Sequence, residues 1–286
     1  MPGAHAKTQK TGAIVTEPTR FYNMKNIILD GLSVKDADNG KRPLVFVHAF
    51  PLTSEMWENQ LSFFSDDYRV IAYDVRGLGK SAQKDNQFMM DKYADDLLKI
   101  LFHLNLQKVS AVGLSMGGYI IQKALLKKSD LFSTIILADT RLERDSNEGL
   151  DARAAAIQKI KSGQREEFIE SFIKNLVSEE NFKNADLINK IKSIIDGNTD
   201  EGICGALLAL ATRTNNTDAF NNVEVPVLVM VGEHDVLTPV EAAIKIKEEF
   251  SNSVMYVIKG SGHLSNLESP QEFNFVLSKF LGQFNN

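Results

Sequence analysis

The sequence predicts an α/β protein: a mostly parallel central sheet flanked by helices, with an all-helical segment inserted. Three observations lead there. Short, continuous apolar runs rich in β-branched residues alternate with helical stripes through the first half of the chain. From residue 142 to 220 only helical periodicity remains, and after residue 220 the alternation resumes. A continuous apolar run is what a strand covered on both faces needs, and regular alternation with helices builds a parallel sheet from crossover units.

Residues 1–22 are polar and lack an apolar h-region, so they read as a flexible extension and not as a secretory signal. The first ordered element spans residues 26–34, and Asp38-Asn39-Gly40 then gives a turn. Leu44-Val45-Phe46-Val47 is a buried strand. Residues 54–64 follow as a helix, with Trp57, Leu61 and Phe64 at helical spacing. Residues 69–73 are a second strand ending at Asp74, and residues 90–104 a helix with Tyr93, Leu97, Leu101 and Leu104 on one stripe. Residues 108–112 and 133–138 are strands around a helix over 117–127.

The next stretch carries Phe168, Phe172 and Leu176 on one helical face and Leu187, Ile191, Ile194 and Ile195 on another. Residues 207–211 belong to a further apolar helix. Strands over 227–231 and 254–258 and a helix over 271–281 complete the chain. Thr238-Pro239-Val240-Glu241 and Ser269-Pro270-Gln271-Glu272 each read as a capping box with proline at the first helical position. The chain thus divides into 23–141, the first part of an α/β core, 142–220, a helical cap, and 221–286, the second part of the core.

Composition narrows the function. The 286 residues are 43% hydrophobic and 24% charged, which excludes a disordered or fibrous chain. A net charge of -5 leaves no polyanion-binding footprint, so nucleic acid is not an expected partner. No apolar run approaches the roughly 18 residues of a membrane span. Cys204 is the sole cysteine, so no intrachain disulfide forms, and a reducing, cytoplasmic compartment is expected. No His/Cys/Asp cluster has metal-ligand spacing, so no metal is expected.

Gly113-Leu114-Ser115-Met116-Gly117 matches G-x-S-x-G. Alone the match is weak, because chance supplies about 0.1 matches in a chain of this length. It falls, however, between an apolar strand and a helix, where a sharp turn would present Ser115 as a nucleophile. A serine hydroxyl needs a base. His263, in Gly260-Ser261-Gly262-His263 after the last strand, lies on the same strand-end edge as Ser115. His5 lies in the extension, His103 inside a helix, and His234 beside Asp235 pointing away from it. His48 ends the first buried strand, where its ring would brace the loop backbone.

A histidine base needs a carboxylate to fix its tautomer. Asp235 follows the strand over 227–231 and gives the chain order Ser115, Asp235, His263. Asp139 is the rival, with Glu233 a distant third. Oxyanion donors are expected from the Met116 N–H and the Phe50 N–H, the latter in His48-Ala49-Phe50-Pro51. The glycine-containing run Asp74 to Ser81 lacks phosphate-loop spacing and reads as a structural turn in which Asp74 and Arg76 tie down backbone.

These segments, with Trp57 and Gly262-His263 through Glu268 and Pro270, resemble the α/β-hydrolase superfamily over roughly residues 26–284. They are most similar to its capped bacterial branch of 3-oxoadipate enol-lactonases, small carboxylesterases and cofactor-free haloperoxidases. That family usually has His-Gly where this chain has His48-Ala49, so Ala49 would narrow or shift the oxyanion loop. A serine nucleophile argues against the dehalogenases and epoxide hydrolases of the superfamily. Arg141 stands where it would pair with a substrate carboxylate or, the preferred reading, form an ordinary structural salt bridge.

The resemblance implies a serine hydrolase of small carboxylic esters or lactones, working through an acyl-enzyme without a cofactor. The alternatives are a C–C bond hydrolase or perhydrolase with the same triad, or a ligand-binding receptor with little turnover. The expected partner is the small-molecule ester or lactone alone, with neither nucleic acid nor membrane.

Overall fold

The computed structural model describes residues 24–83, 87–221 and 223–284. The extension expected over residues 1–22 lies outside these. Eight strands form one sheet in the order β1-β2-β4-β3-β5-β6-β7-β8. They are β1 (Lys25–Leu29), β2 (Leu32–Asp36), β3 (Pro43–Val47), β4 (Arg69–Tyr73), β5 (Val109–Leu114), β6 (Phe132–Ala138), β7 (Val227–Gly232) and β8 (Ser253–Ile258). From β4 to β8 every neighbouring pair is parallel, while β1 and β2 are antiparallel to each other and β2 to β4. Every residue of β5 and of β7 is buried, as a sheet covered on both faces requires.

The element expected over residues 26–34 is two strands, not one. Asp30 and Gly31 both adopt positive φ, 48° and 76°, and turn the chain into a hairpin that pairs Leu29 with Leu32. Asp-Gly is a strong signal for such a turn, and the apolar residues on either side obscure it.

Ten α-helices are described. Before β6 lie α1 (Glu58–Phe64), preceded by a 3-10 turn over Ser54–Trp57, α2 (Met90–His103) and α3 (Met116–Lys127). Between β6 and β7 lie α4 (Asn147–Lys161), α5 (Arg165–Leu176), α6 (Ala185–Asp196) and α7 (Asp200–Ala211), with no strand among the described residues. After β7 come α8 (Val240–Glu249), α9 (Ser265–Glu268) and α10 (Pro270–Gly282). The amphipathic stripe of α2 buries Tyr93, Leu97 and Leu101, each at most 0% exposed. Trp57, fully buried, packs its ring against Phe46 of β3 and Phe273 of α10.

The two ends of the α4–α7 stretch are tied together. The Asn216 N–H donates to the Leu142 carbonyl at 3.0 Å, and its amide donates to Gln122 of α3, which in turn donates to the Arg141 carbonyl. The start of α7 docks on the Asp74–Ser81 turn so closely that a Cβ on Gly202 would lie 1.9 Å from the Gly77 carbonyl oxygen. Asn198, just before α7, donates from its amide to the Pro51 carbonyl at 2.7 Å and accepts from the Gly79 N–H at 2.6 Å. The Asp74–Ser81 turn is structural as expected: Asp74 accepts from the Ser54 and Lys80 N–H groups, and Arg76 makes a two-point buried ion pair with Asp96.

Candidate active site

Ser115 caps α3 directly after β5, with φ 54° and ψ -112°. That backbone is strained for a residue with a side chain, and strain of this kind gathers where geometry serves a site. The turn needs glycine two residues on: a Cβ on Gly117 would lie 2.0 Å from the Val47 carbonyl oxygen. The chain around Ser115 is pinned from β6, since its N–H donates to the Ala138 carbonyl and its carbonyl accepts from Thr140 Oγ1.

His263 follows β8 and is 2% exposed. Its Nε2 lies 2.9 Å from Ser115 Oγ, and its Nδ1 lies 2.8 Å from Asp235 Oδ2. The neighbouring backbone is held on both sides, by Glu268 accepting from the Gly262 N–H and by the Leu176 carbonyl accepting from the Leu264 N–H. Asp235 follows β7, and its second oxygen accepts from the Leu237 and Thr238 N–H groups. Burial pushes its carboxyl up, but the adjacent His263 and the donors from His263 and Thr238 outweigh burial and hold it below the ordinary carboxylate range.

Ser115, His263 and Asp235 are therefore brought into one chain of hydrogen bonds. The rival carboxylates go elsewhere. Asp139 accepts from the Gly232 N–H at 2.8 Å and from Ser265 Oγ at 2.5 Å. Burial, with the Asp235 carboxylate beside it, pushes Asp139 well above its ordinary range, against the pull of the two donors. Glu233 pairs with Lys259 at 2.8 Å, and the His234 side chain is 59% exposed.

Met116 follows Ser115 as the first residue of α3, and Phe50 lines the same cavity as Ser115. Among the described residues, neither backbone N–H donates to any acceptor. His48 braces the loop that carries Phe50: Nδ1–H donates to the Ala49 carbonyl at 2.9 Å, and Nε2 accepts from the Val75 N–H at 2.8 Å. Burial lowers its pKa, so the ring stays neutral and can make both bonds. Ala49, where the resemblance leads one to expect glycine, is fully buried, and its N–H points to the Met56 sulfur at 3.2 Å.

Two expectations need correction. Thr238 is not a helix cap. Helix α8 begins at Val240 with no side-chain cap, because Thr238 Oγ1 donates to Asp235 Oδ2 at 2.5 Å instead. Ser269 likewise leaves α10 without a side-chain cap and accepts from Ser261 Oγ, although Pro270 does open the helix. Arg141 forms no salt bridge among the described residues. The nearby Glu143 carboxylate accepts from Lys245 at 2.6 Å, and Arg141 donates to the Leu237 carbonyl.

Ser115 and His263 open into a cavity of about 610 Å³. Phe50, Tyr119, Phe168, Phe172 and Leu207 line it, so α5 and α7 supply part of its wall. Phe172 stacks on Phe168 at 5.5 Å and meets Phe50 edge-on at 5.6 Å. A serine hydroxyl hydrogen-bonded to a buried histidine base can attack an acyl carbon, and unpaired backbone N–H groups beside it can stabilise the oxyanion formed.

The family described as alpha/beta hydrolase fold matches residues 42–270. A 3-oxoadipate enol-lactonase of Acinetobacter baylyi is 26% identical over 248 residues, covering 85% of this chain and 89% of its own. A non-heme haloperoxidase of Rhodococcus erythropolis is 30% identical over 260 residues, covering 82% and 90%. Among solved structures, a thermophilic esterase from Thermogutta terrifontis superposes with a TM-score of 0.85 at 31% identity, covering 92% of this chain and all of that one.

Proposed function

Since the chain belongs to the α/β-hydrolase-fold family, we propose that it is a serine hydrolase cleaving small carboxylic esters or lactones through an acyl-enzyme. One observation carries the proposal: His263 bridges Ser115 Oγ at 2.9 Å and Asp235 at 2.8 Å, and Ser115 and His263 both line a cavity of about 610 Å³. Esterase and enol-lactonase relatives support the substrate class.

In this mechanism Ser115 Oγ attacks the acyl carbon as its proton passes to His263 Nε2. The carbonyl electron pair moves onto oxygen, where the Phe50 and Met116 N–H groups receive it. Collapse breaks the C–O bond, and His263 Nε2–H protonates the departing alkoxide. In a lactone that alkoxide stays tethered to the acyl group. Water then gives a proton to His263 and attacks the acyl-enzyme, and the second collapse returns the proton to Ser115 Oγ. Asp235 remains a carboxylate throughout and stabilises the imidazolium. The α4–α7 helices act as the cap, with α5 and α7 roofing the acyl site.

The test is turnover with site mapping. Purified protein should hydrolyse a short p-nitrophenyl ester many times per site, and a fluorophosphonate should label Ser115. Release of about one equivalent per site would mark a receptor, and labelling at another residue would reject Ser115.

A further inference from the structure

The cavity wall is positively charged, although the chain as a whole carries -5. Arg141, Arg144, Arg153, Arg213 and Lys245 line it, against the carboxylates of Glu143, Asp145 and Glu241, a surplus of two cations. The carboxylates are not shared evenly. Asp145 lies between Arg153 and Arg213, and Glu143 takes Lys245. Glu241 is exposed and pairs with none of the cations. Neither Arg141 nor Arg144 forms a salt bridge among the described residues, although Arg141 is near enough to Glu143 to help hold its carboxyl low.

Arg141 is the more constrained of the two. It lies just past the end of β6, next to Thr140, whose hydroxyl holds the Ser115 carbonyl. The residue is half-buried. Nη2 is committed to the Leu237 carbonyl, in the loop that carries Asp235. Nε is enclosed and donates to nothing. Nη1 makes no hydrogen bond among the described residues, and Arg141 lines the cavity. Arg213, 6% exposed and seated 4.4 Å from the Tyr119 ring centre, likewise has an enclosed Nε without an acceptor. An enclosed guanidinium N–H without an acceptor is costly, and a ligand anion is what would offset it.

We infer that Arg141, supported by the positive surplus around it, forms a carboxylate subsite, and that the preferred substrates are esters or lactones that keep a second, ionised carboxylate. This deepens the hydrolase proposal and rests on it for the position of the scissile bond. The carboxylate belongs either to the acyl group or to the departing alcohol, and the chemistry at Arg141 is the same for both.

Two substrate pairs separate these sources. Mono-4-nitrophenyl glutarate against 4-nitrophenyl pentanoate places the charge on the acyl side. 4-Carboxyphenyl butanoate against its carboxamide places it on the leaving side. For one pair the charged-over-neutral ratio of kcat/KM should fall about tenfold or more in Arg141→Met, mostly through KM, and recover in part in Arg141→Lys, which keeps the charge but loses the planar fork. Ratios within twofold of wild type in both pairs and both variants would overturn the subsite while leaving ester hydrolysis intact. A binding arm needs no turnover: glutarate titrated into Ser115→Ala should bind about tenfold more weakly when Arg141→Met is added. Equal binding overturns the subsite. Absence of hydrolysis of all four esters, with glutarate binding still dependent on Arg141, would overturn the hydrolase proposal alone.

Discussion

Thr238 donates its hydroxyl proton to the same oxygen of Asp235 that His263 contacts, at 2.5 Å against 2.8 Å. That oxygen is fixed from both sides, so the carboxylate cannot rotate away from the imidazole. The donor also favours the ionised carboxylate, and Asp235 is held low partly for this reason. A folded-state carboxyl held low is ionised across neutral pH and loses that state only on acidification. Thr238→Val should therefore raise the pH at which activity is lost on acidification and lower kcat by up to about 10- to 150-fold, the loss of one hydrogen bond to a charged group. Thr238→Ser should restore both. A pH–rate profile identical to wild type in the valine variant would remove Thr238 from the site.

Ser115→Ala should lower kcat by about 10⁴ or more without unfolding the protein. Steady-state rates with a p-nitrophenyl ester, alongside circular dichroism, check both halves. Activity retained in a folded alanine variant would reject the nucleophile.

Asp235→Asn should cost about 10³ to 10⁴ in kcat, because an amide cannot hold the required histidine tautomer. Asp139→Asn should cost less than about tenfold, since its oxygens serve Gly232 and Ser265 and not His263. Reversed results would move the carboxylate to the end of β6.

Asp139 also makes a stability prediction. Its carboxyl is raised in the folded state, so the folded protein holds that proton above the range in which the unfolded chain releases it. Its contribution is full below the unfolded value, near 3.8, and is lost as pH rises toward the folded value. Asp139→Asn removes this loss. The stability of the variant relative to wild type should therefore improve between pH 5 and pH 8, measured by urea unfolding at each. A difference that moves the other way would mean the buried carboxylate is ionised and stabilised by its donors.

Substitution of Phe172 by alanine opens the wall where Phe50 and Phe168 meet it. The ratio of kcat/KM for a long against a short ester should change about tenfold or more, since pocket shape discriminates acyl length on that scale. Fluorophosphonate labelling should persist. One common factor across all substrates would show that α5 does not set specificity.

Asn198→Ala leaves the buried Pro51 carbonyl and the N–H of the exposed Gly79 without their partner. The expected loss is about 1–3 kcal/mol, read from urea unfolding. A loss below 0.5 kcal/mol, roughly that of a neutral surface change, would mean that water replaces the amide.

Much of this protein is legible in its sequence, because the signals are local. A run such as Leu44-Val45-Phe46-Val47 can be satisfied only between two covered faces, and β3 is buried there. The strand–turn–helix context around Ser115, and the placement of His263 and Asp235 after strands, follow from the same periodicity, since parallel strands deliver their ends to one edge. What one short run cannot carry is a break inside an apolar stretch, as at Asp30-Gly31.

Only the tertiary structure decides between equivalent partners. Asp139 and Asp235 follow strands in the same way. It is the packing of the β7 and β8 loops that hands Asp235 to His263 and leaves Asp139 to Gly232 and Ser265. Thr238 has the right spacing for a helix cap, yet a carboxylate oxygen is a stronger acceptor for its hydroxyl than the helix offers a use for it. Arg141 has carboxylates nearby in sequence, but Lys245, about a hundred residues away in the chain, claims Glu143. Side chains distant in sequence compete for the same polar partners, and that competition is settled by geometry, which no local pattern of residues encodes.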